Sequence, residues 1–133
     1  MNLTRQTHIR LARPSLDLAA AERFYVDGAG LQVLYRHHPQ QDEEALLMLG
    51  LPGTGWHLEL TRASVPLRPS PTPEDLLVLY LGQPAPDRTL RRLQAHGGVR
   101  VPALNPYWDT WGVTFADPDG YRLVLCQRLW LDS

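Results

Sequence analysis

The stretch from Gly55 to Arg62, GWHLELTR, is where this chain concentrates side chains able to do chemistry. His57 and Glu59 stand two residues apart, the repeat of a β-strand, so an extended backbone turns an imidazole and a carboxylate to one face. Such a pair can share a divalent ion, or Glu59 left unliganded can move a proton as the catalytic carboxylate. Glu is depleted in strands, so Glu59 also calls for an ion-pair partner. Arg10 and Arg122 are the two available, giving either a structural charge pair or a fork for a ligand's carboxyl group. Sixty-five positions on, the frame returns as GYRLVLCQ, Gly120 to Gln127, with Val124 where the first copy has Glu59 and Arg122 where it has His57.

The rest of the composition removes several chemistries. All thirteen basic residues of the 133 are Arg, which excludes a Schiff-base or Walker-type lysine. Fourteen acidic residues leave a net charge of -1 with no basic run, so no nucleic-acid partner is expected. GLPGTG, residues 50–55, lies between strand-like runs and precedes no helix, so it reads as a hairpin turn rather than a phosphate loop. Cys126 alone cannot form an internal disulfide and reads as an apolar filler in a reducing cytoplasm. The N-terminal residues carry no apolar signal core, and the longest apolar run, LLVLYL at 76–81, is too short to span a membrane. His37 and His38 are adjacent and point apart, and His96 sits where it can cap a helix end.

These residues need a scaffold, and hydrophobic periodicity supplies one twice. Alternation over 7–12 predicts a strand, Asp17 a cap, and Leu18–Val26 a helix stopped by the glycines at 28–30. Strands are expected at 31–36, 45–49 and 56–62. VPLRPSPTP, 65–73, can continue neither helix nor sheet. The order then repeats: a strand at 76–81, Asp87 as cap of a helix ended by Gly97 and Gly98, and strands at 99–103, 112–116 and 121–128, with DPDG as the last turn. The expectation is one α+β domain over 1–133, built of module one (5–63), a proline-rich linker (64–74) and module two (75–130). NPYWDTW, 105–111, reads as an aromatic loop near a cavity mouth, where Asn105, Tyr107, Trp108 and Trp111 could clamp a flat or greasy ligand.

Paired βαβββ units with HIRLARPSLDLAAAERFY at the start, HLEL closing the first half and FADPDGYRLVL near the end resemble the vicinal oxygen chelate superfamily of glyoxalases, extradiol dioxygenases and bleomycin-resistance proteins. The resemblance implies two tandem βαβββ modules forming a curled mixed sheet around a cavity, a homodimer, and a small-molecule ligand or substrate. It implies metal ligands on the first and last strand of each module. These fall on His8 and Glu59 in module one, and on Leu76 (or Asp75, one register off) and Val124 in module two. Leu and Val cannot donate, and half a site does not hold an ion. His57 beside Glu59, with His8 opposite, would restore two imidazoles and a carboxylate for Zn, Ni, Mn or Fe.

Strand parity gives the expected pocket a polar wall of His8, Arg10, His57, Glu59 and Thr61. The facing wall, Leu76, Val78, Tyr80 and Val124, is apolar. The expectation is therefore capture of a small amphipathic molecule, bound by Arg10, Tyr80, Asn105, Tyr107, Trp108 and Arg122 without a complete metal site. The alternatives are a metal-dependent lyase, isomerase or dioxygenase using His8, His57 and Glu59, and a dimeric interaction module with no small ligand.

Overall fold

Alternating apolar residues bring the chain into its first sheet at β1, Ile9–Pro14. Asp17 then caps α1, Leu18–Glu22, its carboxylate accepting from the Ala20 N–H at 3.0 Å. The helix widens into a π-helical turn, Arg23–Gly28, marked by the Ala29 N–H bonded five residues back to Phe24. Next come β2 (Gln32–His37), β3 (Ala45–Gly50) and β4 (Trp56–Arg62), in spatial order β1-β4-β3-β2. The computed structural model describes residues 1–37, 44–65 and 67–132.

Residues 67–72 form no helix or strand, and the pattern then recurs. β5 (Leu76–Tyr80), α2 (Asp87–Ala95), β6 (Val99–Val101), α3 (Pro106–Trp111), β7 (Gly112–Ala116) and β8 (Arg122–Cys126) follow, with sheet order β5-β8-β7-β6. In each sheet the first strand runs parallel to the last, and the remaining pairs are antiparallel. Two expectations change. Asp87 is the first residue of α2, Pro86 taking the cap position, and the aromatic loop over 105–111 is a short helix capped by Asn105. A proline at the first helical position fits α3 because its missing N–H would have had no partner there. No helix among the described residues is long and apolar enough to cross a membrane.

One apolar core serves both sheets. Leu47, Leu49, Leu58 and Leu60 face it from module one, Phe115, Leu123 and Leu125 from module two, and Phe24, Tyr25 and Leu93 lie between. Burying each such Leu contributes roughly 1.5–3 kcal/mol. Gly28 lets α2 lie against the π-helical turn, since a Cβ there would stand 3.3 Å from the Leu93 backbone.

Polar links fasten the modules where β1 ends. Tyr25 donates to Asp117 at 2.5 Å, Ser15 Oγ and the Leu16 N–H donate to Asp119 at 2.6 and 2.9 Å, and the Arg13 guanidinium lies 4.5 Å over the Tyr121 ring. Burial, more than any neighbour, raises both the Tyr25 phenol and the Asp117 carboxyl above their ordinary pKa values.

Candidate functional site

Register sets the polar cluster of module one. Arg10 of β1 pairs with His57 of β4, and Ala12 with Glu59, so all four side chains share the face turned away from the core. Gly50, across from His57, keeps its Cα bare where a Cβ would come 3.3 Å from the His57 Cβ. His57 is buried, whereas His8 and Arg10 are exposed.

The bonding pattern fixes the tautomer of His57. Arg10 Nε donates to His57 Nε2 at 3.0 Å, so that nitrogen carries no proton. The neutral ring therefore holds its proton on Nδ1 and gives it to His8 Nε2, 2.5 Å away. Burial above all, then the charges of His8 and Arg10, lowers the His57 pKa, with Glu59 opposing. Arg10 Nη1 also stands 3.6 Å from Glu59 Oε1, an ion pair longer than a hydrogen bond. Of the two partners open to Glu59, Arg10 is the one present; Arg122 instead donates to the Pro102 carbonyl at 3.2 Å.

This arrangement does not fit a metal ion. The Arg10 guanidinium already lies against both His57 and Glu59, and a divalent ion between them would be repelled by it. Both ring nitrogens of His57 are engaged. The module-two positions, Leu76 and Val124, offer hydrocarbon, and Asp75 is held in its own turn by the Thr72 N–H, which lowers its pKa. Among the described residues no three His, Cys, Asp or Glu side chains form a group able to hold an ion.

Beside the cluster runs an apolar cleft of about 520 Å³, within the range of small-molecule sites. It lies in the slot between the two sheets, where β1 and β5 are both edge strands. Ile9 and Leu11 form one bank and Leu77 to Leu81 the other, with Trp56 and His57 closing one side. Tyr80, an expected ligand contact, is on this wall and meets Trp108 and Trp130 edge-on at 6.4 and 5.6 Å between ring centroids.

The other expected contacts are more scattered. Tyr107 and Trp108 lie on α3, which packs on β7 and β8; Arg128 donates to the Tyr107 hydroxyl at 3.3 Å and stacks on Trp111. Asn105 spends its side-chain oxygen on the Tyr107 N–H. His37 ends β2 with its side chain exposed, His38 lies outside the described residues, and His96 occupies the C-cap of α2. Cys126 is fully buried. Sequence reasoning missed Ile9, Leu11, Leu77 and Leu79, which have the parity opposite to the expected wall. LLVLYL, apolar on both faces, was the available signal.

Relatives carry the same frame. The chain matches the YycE-like N-terminal domain over residues 9–61 and the YycE-like C-terminal domain over 74–127. It is 37% identical over 120 residues to the uncharacterized protein YycE of Bacillus subtilis (strain 168), covering 87% of this chain and 84% of that one. The crystal structure of a YycE protein of unknown function from Bacillus subtilis superposes with a TM-score of 0.77 at 35% identity, over 92% of this chain and 90% of that one. TnmS3, an antibiotic binding protein from Streptomyces sp. CB03234, aligns over 97% of this chain and 99% of its own with a TM-score of 0.63 and 25% identity. Two βαβββ modules, their motifs and these relatives together make the chain a member of the YycE-like family, within the vicinal oxygen chelate superfamily.

Proposed function

We propose that this protein binds a small, flat, mostly apolar organic molecule in the cleft between β1 and β5, without a metal ion. The cleft itself carries the reading: nearly all its walls are hydrocarbon and its one titratable wall residue with a lowered pKa, His57, is held neutral. Apolar area removed from water there gains roughly 25 cal/mol per Å², and a charged body would forfeit its hydration. Arg10, with its side chain half exposed beside His57, supplies donors for a polar edge of the ligand, and Trp56 supplies a ring for a flat body. Similarity to an antibiotic binding protein supports sequestration as the role. The single cysteine supports a cytoplasmic setting.

Calorimetric titration of metal-stripped protein with a panel of polycyclic aromatic compounds tests this. Saturable binding with a negative heat-capacity change is expected, and lost in Leu11→Asp. Binding seen only after Zn, Ni, Mn or Fe is restored, together with a stoichiometric ion by elemental analysis, would overturn the reading in favour of metal-dependent chemistry at His8, His57 and Glu59.

A further inference from the structure

β1 and β5 face each other across the slot in opposite directions. Leu11, Ala12 and Arg13 lie opposite Glu74, Asp75 and Leu76 at one end, while Ile9 and Leu11 lie opposite Leu77 to Leu81 at the other. The two strands belong to separate sheets, so no ladder holds their distance. Among the described residues, the contacts of Ser15, Leu16, Tyr25 and Arg13 with module two lie at the first end. Ser15 and Leu16 follow directly on β1, and Asp117 to Tyr121 directly precede β8, whose Arg122 pairs with Leu76 at the start of β5. The apolar cleft occupies the opposite end. The strands stand apart at both ends, since a more polar cleft of about 380 Å³ opens between Leu11–Arg13 and Glu74–Leu76, and the polar links tie the modules just past that first end.

We propose that the contact of Asp119 with Ser15 and Leu16, backed by Tyr25 on Asp117 and Arg13 on Tyr121, is a pivot that sets the width of the cleft. Asp119 is the positioning residue. It accepts from both a side chain and the backbone immediately past β1, so it fixes where that strand ends relative to module two. Asp117 holds the turn that presents it, accepting from the N–H groups of Asp119 and Tyr121 at 2.8 and 2.9 Å. Loosening the Asp119 contact lets the modules shift about the apolar core that both sheets share, and a shift about a point past one end of the slot is felt most at the far end. Selectivity for ligand thickness then resides in residues that never touch the ligand. This last consequence rests on the proposed binding function; the pivot does not.

Spin labels at Pro52→Cys and Gln83→Cys, on exposed turns at the cleft end of each module, read the width directly by pulsed electron resonance with no ligand present. Asp119→Ala is expected to shift or broaden the inter-label distance by roughly 2 Å or more. Asp119→Asn, which still accepts from the Leu16 N–H and can donate to Ser15, should restore the wild-type distribution. In parallel, anilinonaphthalene sulfonate and its bulkier dimer, bis-anilinonaphthalene sulfonate, should exchange preference by roughly ten-fold in Asp119→Ala. An unchanged distance distribution in folded Asp119→Ala sinks the pivot. Should that variant not fold, Ser15→Ala, which removes one bond only, decides the same question by the same distance. A shifted distance with no probe binding in any variant would keep the pivot and remove the binding function.

Discussion

The faces of β4 and β8 turned away from the core are two treatments of one backbone frame. On β4 that face carries His57, Glu59 and Thr61; on β8 the same places hold Arg122, Val124 and Cys126. In module one the face stays half open, with Met48 opposite Glu59 and Arg10 exposed at its edge. In module two α3 lies on β7 and β8, and Thr114, Val124 and Cys126 are buried. The core-facing sides do not differ: Leu58 and Leu60 match Leu123 and Leu125 in type and burial. A repeated module keeps the residues that hold it folded and diverges on the side that folding leaves unconstrained.

Transplanting the carboxylate breaks the comparison hardest. Val124→Glu puts an unpaired charge where no solvent reaches and should cost roughly 3–5 kcal/mol at neutral pH, less in acid where the carboxyl protonates. Urea denaturation at both pH values checks this, and equal losses at the two would show that the site finds a partner. Next in size, Leu58→Ala and Leu123→Ala should each cost roughly 3 kcal/mol, because both side chains are fully buried in the shared core. A loss confined to one of them would mean that the modules do not share a core equally.

His57 predicts a smaller effect with a defined sign. Its folded pKa lies below the ordinary 6.5, so protons bind the unfolded chain more readily. Its contribution is complete above 6.5 and is lost as pH falls through the lowered folded value. Chemical denaturation of wild type and His57→Gln between about pH 8 and 5 isolates it: the wild type should weaken relative to the variant on acidification. Parallel curves would show that burial does not perturb this ring. The smallest change belongs to Glu59→Gln, which removes a long, partly solvated ion pair and should alter stability by about 1 kcal/mol or less.

Much of the scaffold was legible because hydrophobic period and turn chemistry are local. The strands at 45–50 and 56–62, the stop at Gly28–Gly30 and the DPDG turn all follow from neighbours in sequence. Helix α3 was not, because six residues give too little periodicity, although Asn105 followed by Pro106 was a readable start signal. The site divided the same way. Parity placed His57 with Glu59 and Arg10, but whether Arg10 or Arg122 answered Glu59 depended on how two sheets sit against each other. Nothing in a strand's own sequence says that its neighbouring sheet will stand off and leave a cleft along its edge.

Arg10 occupies the middle of the polar cluster as a cation covalently part of the chain. A bound ion can be leached by a chelator, exchanged for a competitor or missing in a starved cell, whereas a guanidinium is present from the moment the backbone is made. On the proposed reading, what this cluster contributes to a ligand is indifferent to trace-element supply, and washing the protein in strong chelator is expected to leave binding untouched.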